Sequence, residues 1–235
     1  MLPSAHQAVV DQTQIHLLRS LLSEITQVQH ASKTPLPTLF NLALCNRPRA
    51  LSRDGYFSDH LPSSFASELP PRRRRLLVKG SVAWQTAAPQ SLVLQSEMRQ
   101  VSSILKEKVV GATPFVWVQR NYFAKDKDTP FLTDERCLAY PDVESAEEEG
   151  RRDYALWEGY KGCIVPGTLL ATIASTHLES QLEPFQFIQT YSYNLVRPIL
   201  VGNSELKKVW VEDSCGNLLM HATYKLGDMN TSNSI

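Results

Sequence analysis

The stretch from Arg152 to Leu182, RDYALWEGYKGCIVPGTLLATIASTHLESQL, decides how the chain is read. Gly159 and Gly162 make a glycine-rich turn that leads into Pro166-Gly167, and a helical pattern begins at once. Leu169, Leu170, Ile173, Ala174 and Leu178 fall at i, i+1, i+4, i+5 and i+9. That is one apolar stripe with a period of about 3.6 residues. A helix opening on such a turn aims its free backbone N–H groups, and its positive dipole end, at whatever lies in front of it. Those groups can hold a phosphate or polarise a carbonyl. The same residues also describe an ordinary buried helix with a flexible entry.

The chain around this stretch has 235 residues, 43% of them hydrophobic. That suffices for one large domain or two small ones with a real core. The net charge is zero, so neither nucleic acid nor an anionic membrane is the expected partner. Cys45, Cys137, Cys163 and Cys215 are far apart and form no CxxC, which reads as reduced thiols inside a cell. No apolar run is long enough to span a membrane, and the N-terminus has neither an apolar signal core nor an arginine-rich presequence. The cytoplasm is the expected compartment, with the mitochondrion as the alternative.

Working outward, residues 8–30 predict an amphipathic helix over about Asp11–Gln29, with His16 and His30 at its surface. Ser32–Pro37 is a linker, and 38–45 (TLFNLALC) is a short apolar element, helix or strand. Four consecutive arginines, Arg72, Arg73, Arg74 and Arg75, read either as a clamp for phosphates or as the solvated entry to a strand. Residues 76–84 and 91–100 read as strands. Val116, Val118 and Arg120 alternate with Trp117, Gln119 and Asn121, and Thr133–Tyr140 would pair antiparallel with that strand across the turn Lys125–Thr129. VESAEEEGRR is a solvated inter-domain segment by composition. After the helix, Phe185–Arg197, Ser204–Glu212 and Asn217–Leu226 predict a three-strand meander. Each half is thus a helical segment followed by antiparallel strands, which suggests a duplication. The expected division is an N-terminal helical segment (1–35), a first repeat (36–142), a linker (143–152), a second repeat (153–226) and a disordered tail (227–235).

Four phrases in order carry a family resemblance. They are DGYFSDHLPSSFASELPPRRRRLLVKGSVAW, FVWVQRNYF with TDERCLAY, DYALWEGYKGCIVPGTLLATI, and YSYNLVRPILVGN. Together they resemble the fungal and bacterial hydroxyacyl-thioester dehydratase type 2 family, which includes the mesaconyl-CoA hydratases and belongs with the MaoC-like hydratases. The resemblance spans about Leu36 to Tyr224. It implies an α+β double hotdog, two antiparallel sheets each wrapped around a central helix. It also implies a small acyl or polyketide substrate on coenzyme A or acyl carrier protein, and no cofactor. A monomeric double hotdog or a homodimer follows, in fungal fatty-acid or polyketide metabolism.

The resemblance breaks where the chemistry should be. In the family an Asn…His…Asp segment before the DYA…EGY phrase supplies an aspartate and a histidine. Here that place holds VESAEEEGRR, and no histidine lies between His60 and His177. Asp153 and Glu158 are the carboxylates positioned to substitute. Gly167 and Thr168 would donate to the developing oxyanion, with Tyr160, Tyr193 and Arg197 contacting substrate and Arg72–Arg75 contacting phosphates. The Gly162…Pro166-Gly167 run is also similar to the β-hydroxyacyl carrier-protein dehydratases, with Glu158 and Thr172 at the places of their histidine and glutamate. His177 lies ten residues into the helix, about 15 Å along its axis, and reads as a core histidine. Three functions compete: a hydro-lyase, a dyad-less hotdog that steers cyclisation or isomerisation of a hydrophobic intermediate, and a non-catalytic binding protein.

Overall fold

A computed structural model of the chain describes residues 4–8, 12–26, 37–44, 60–65, 74–85, 98–142, 165–183, 186–197, 204–206, 210–213 and 218–228. The strands are β1 (Ser4–Ala8), β2 (Leu76–Trp84), β3 (Met98–Val110), β4 (Thr113–Phe123), β5 (Leu132–Ala139), β6 (Gln186–Leu195), β7 (Ser204–Leu206), β8 (Trp210–Asp213) and β9 (Leu218–Asp228). The helices are α1 (Gln12–Thr26), α2 (Phe40–Leu44) and α3 (Gly167–Glu179). None of the described helices is long and apolar enough to cross a membrane.

All nine strands join one antiparallel sheet, in the order β1-β3-β4-β5-β2-β6-β9-β8-β7. Hydrogen bonding is continuous across the two expected repeats. The two halves meet edge to edge where β2 pairs with β6, from Lys79↔Asn194 to Ala83↔Thr190. Backbone groups that would be unpaired at two separate edges are paired with each other instead. The α+β class stands; the expected first repeat (36–142) contributes only the five-residue α2 among the described residues, whereas α3 has thirteen.

Alternation sets the sheet's buried face. In β4, Pro114, Val116, Val118, Arg120 and Tyr122 are buried and the residues between them are half-exposed. Direct cross-strand partners share a face. One buried row therefore runs Arg120, Asp134, Val82, Tyr191 across β4, β5, β2 and β6, and the next runs Val118, Arg136, Gly80, Tyr193, Ala222. The helices cover this face. Ile15, Leu18 and Leu22 of α1 and Leu170, Ala171, Ala174 and Leu178 of α3 join one core with Val82, Tyr191, Tyr193 and Met220. Phe40 of α2 reaches the same core through Trp84, with ring centroids 5.8 Å apart. Gly111, at φ 61°, makes the tight turn between β3 and β4, a conformation glycine adopts without strain.

Several local expectations change. Residues 4–8 form an edge strand on β3, ahead of the expected helix. The strand expected over 91–100 is β3, which starts at Met98 and runs through the polar KEKVV to Val110. The stretch 204–212 is not one long strand: β7 and β8 pair with each other as a hairpin. It therefore cannot flank β6, and β9 takes that place, with β8 on the far edge of β9. The meander order is corrected accordingly. The expected linker 143–152 and tail 227–235 fall almost wholly outside the described residues.

Candidate functional site

The start of α3 is pressed onto the sheet. A Cβ at Gly167 would sit 2.4 Å from Leu195 Cδ1 of β6 and 3.5 Å from Leu77 Cδ2 of β2. A side chain at this position would require the end of the Leu195 side chain to shift. Pro166 occupies the N-cap and no side chain caps the helix. The first-turn N–H groups are thus left for solvent or a ligand. Thr168 is half-buried, and its carbonyl accepts from Thr172 Oγ1 at 2.9 Å.

Next to this helix start lies a buried polar cluster. Tyr193 faces the core two residues before Leu195, about 7 Å along the strand. Its ring lies over Gly80: a Cβ there would be 2.4 Å from the phenol oxygen and 2.6 Å from Cζ. The missing side chain on β2 lets the phenol reach across that strand toward Arg136, the partner of Gly80 on β5. Arg136 Nε donates to both carboxylate oxygens of Asp134, at 3.1 and 2.9 Å, and its Nη2 bonds Oδ2 as well. Asp134 is 0% exposed. Its Oδ2 also accepts from Asn41 Nδ2 of α2 at 3.0 Å, and the same amide lies 3.5 Å from Tyr122 Oη. Arg120, directly across from Asp134, points its Nη2 at the His60 ring, 3.3 Å from either nitrogen. The His60 carbonyl accepts from Tyr140 Oη at 2.7 Å.

Electrostatics here favour fixed ionisation. Burial opposes the charge on Arg136, but attraction and hydrogen bonds from Asp134, aided by Tyr122 and Tyr193, more than offset it, so its pKa is raised. Burial raises the Tyr193 pKa, as it does that of Tyr191, which Tyr193 and Glu179 raise further. Both phenols are neutral hydrogen-bond donors at physiological pH. Gly80→Ala must push the Tyr193 ring away, and overpacking of this kind costs about 1–3 kcal/mol. A lower Tm is expected; an unchanged Tm would show that the ring does not lie over Gly80.

A half-buried carboxylate stands at the other end of α3. Glu179 accepts hydrogen bonds from Thr38 N, at 2.5 Å, and from Thr38 Oγ1. Burial pushes its pKa up to about 7, against the Thr38 bonds and the charge of Arg19. Burial likewise lowers the pKa of Arg19, which the charge of Glu179 offsets in part. A carboxyl whose folded pKa lies above its ordinary 4.5 stabilises fully below pH 4.5. That stability is lost as pH rises through about 7. Glu179→Gln is therefore expected to flatten stability across that window and to raise the unfolding free energy at pH 8, by roughly 3 kcal/mol at most. Urea unfolding of both proteins across that range checks it; a parallel pH profile for the two contradicts the assignment.

Of the residues singled out in the sequence, the structure brings Gly167, Thr168 and Tyr193 to one end of the core. Arg197, beyond the end of β6, is exposed. Arg74 and Arg75 are half-buried at the entry to β2, with the Arg75 guanidinium 5.6 Å from the Tyr140 ring centroid. Asp153, Glu158, Tyr160, Arg72 and Arg73 lie outside the described residues. His177 is half-buried and bonds Gln181 Nε2 at 3.0 Å, so it is a helix-surface residue and not a core histidine. The sequence reading missed Asn41, His60, Asp134 and Arg136 as a cluster. The signal was available: Arg120 and Asp134 keep the phase of the apolar residues on their strands, and Asn41 interrupts an otherwise apolar segment.

Comparison with known proteins places this architecture. Over 96% of either chain the fold superposes on a MaoC-like dehydratase from Phytophthora capsici, with TM-score 0.61 and 11% identity. HtdX from Mycobacterium tuberculosis gives TM-score 0.61 at 8% identity, over 96% of this chain and 99% of that one. A 12:0-ACP thioesterase from Umbellularia californica gives TM-score 0.54 at 8% identity, over 97% and 98%. At such identities the likeness establishes the fold, that of the MaoC-like hotdog proteins, and not the reaction. Residues 39–153 match the family described as hydroxyacyl-thioester dehydratase type 2. The family match lies within the span over which the fold is that of the MaoC-like hotdog proteins. No curated protein sequence matches it.

Proposed function

We propose that the protein adds water to, or removes it from, the double bond next to the thioester of an acyl chain carried on coenzyme A or acyl carrier protein. The observation that supports this reading is the start of α3, uncapped and close to Leu195 and Leu77, in a chain whose residues 39–153 match the hydroxyacyl-thioester dehydratase type 2 family. The reaction needs a base for the α-proton, an acid for the leaving hydroxyl, and donors for the enolate oxygen. The backbone N–H groups at Gly167 and Thr168 supply the donors. Asp153 and Glu158 precede the helix by fourteen and nine residues and supply the proton-transfer groups.

On this reading 36–142 and 153–226 are two hotdog repeats sharing the sheet, in a monomer or a homodimer. Arg72–Arg75 contact the phosphates of the carrier, and Tyr160 and Arg197 the substrate. The reaction needs no cofactor. Fungal fatty-acid or polyketide metabolism, in cytoplasm or mitochondrion, is the setting. Crotonyl-CoA and longer trans-2-enoyl-CoA esters, incubated with purified protein, should lose the enoyl absorbance. No change at high enzyme concentration across that series removes the reading.

A further inference from the structure

Four buried polar atoms on the helix-covered side of the sheet and on α2 have no hydrogen-bond partner among the described residues: Tyr191 Oη, Tyr193 Oη, Asn41 Oδ1 and Arg120 Nε. They belong to one neighbourhood. The Tyr191 and Tyr193 rings lie 6.1 Å apart, centroid to centroid. Tyr193 reaches over Gly80 toward Arg136, Asn41 is anchored on the Asp134 carboxylate, and Arg120 stands across from Asp134. An unpartnered buried polar group costs about 1–3 kcal/mol, and interiors hold few of them. Four together mark a place where a partner belongs. Asp134 accepts from Arg136 and Asn41 and from none of the three donors among these groups.

The chemistry of the four selects the partner. Three of them donate, two as phenols and one as a guanidinium N–H, and the amide oxygen accepts. A hydrocarbon chain satisfies none. A ketone accepts from the donors, and a hydroxyl also donates to Asn41. Position selects where the oxygen sits. Leu195 touches the start of α3, and Tyr193 is the next core-facing residue on β6, about 7 Å away along the strand. An acyl chain with its thioester at Gly167 therefore reaches Tyr193 several carbons on.

We propose that Tyr193, with Tyr191, Asn41 and Arg120, recognises a neutral oxygen, a ketone or a hydroxyl, on the acyl chain beyond the carbons that the water chemistry uses. The inference rests on the acyl-thioester reading for the class of ligand, and it adds that the preferred chain is oxygenated.

The test is binding, not turnover. Hexanoyl-CoA and 5-oxohexanoyl-CoA are titrated calorimetrically into the wild-type protein and into Tyr193→Phe. The wild type should bind the 5-oxo ester about tenfold more tightly, the effect of one or two added hydrogen bonds. Tyr193→Phe should bind the two equally. That variant removes a hydroxyl without a partner, so its Tm should equal or exceed that of the wild type. A Tm several degrees lower would show that the hydroxyl has a structural partner and would overturn the proposal. Equal affinities in the wild type, as expected if trapped water alone fills the cluster, would overturn it too. So would a preference that survives in Tyr193→Phe. Methyl hexanoate and methyl 5-oxohexanoate separate this inference from the function it rests on. If neither coenzyme A ester binds but the methyl 5-oxo ester does, in a Tyr193-dependent way, the oxygen site stands and the thioester reading falls. If none of the four ligands binds, the oxygen site falls.

Discussion

Asp134→Asn is expected to destabilise the protein by about 3–5 kcal/mol, the usual result of removing one partner from a buried ion pair. The substitution preserves shape and removes only the charge. It leaves the Arg136 guanidinium, 12% exposed, without its carboxylate, and it disturbs the hydrogen bond that Asn41 Nδ2 of α2 donates to Oδ2. Its partners come from β5 and α2, so the loss is not confined to one strand. For a chain of this length the drop in Tm is on the order of 10 °C, at about 2–4 °C per kcal/mol. Arg136→Met alone should cost a similar amount, because it strands the carboxylate. The double variant Asp134→Asn, Arg136→Met should lose clearly less than the sum, since no unpaired charge remains. A strictly additive double variant would show that the two side chains do not act as a pair.

The second large effect concerns Asp153 and Glu158. Glu158→Gln and Asp153→Asn should each lower the hydration rate with little change in Tm. A positioned acid or base contributes about 10²–10⁴-fold. The carboxylate that accepts the α-proton should show the larger loss, in kcat more than in KM, because its interaction exists only in the transition state. Glu158 has the stronger claim, being nearer in sequence to the helix start. Full activity in both variants would place proton transfer elsewhere and return attention to the buried cluster of His60, Asp134 and Tyr193.

What could be read from the sequence followed the strength of its local periodicity. β2 spans the residues that the pattern LLVKGSVAW predicts, and the β4–β5 hairpin follows from the alternation around Val116 and Val118. α3 begins at the Gly167 that closes the glycine-rich turn. β3 was harder, because Leu105–Val110 projects with both faces exposed and so carries no period-two pattern. The union of the halves through β2 and β6 joins residues more than a hundred positions apart, and no local pattern encodes such pairing. The same holds for Glu179, whose burial depends on Thr38 from a distant turn. The polar cluster was legible in part: charged residues in phase with a buried stripe announce a buried network, but not which strands will bring Asp134, Arg136 and Tyr193 together.

The missing Asp/His segment makes water chemistry the central claim to test. The most direct measurement follows heavy oxygen from solvent into product. Purified protein is incubated with a trans-2-enoyl-CoA ester in oxygen-18 water, and the esters are analysed by mass spectrometry. The account predicts enzyme-dependent formation of the 3-hydroxyacyl ester carrying one solvent oxygen, and the reverse loss of hydroxyl from that ester supplied as substrate. Enoyl and hydroxyacyl esters both returned unlabelled and unconverted would contradict it.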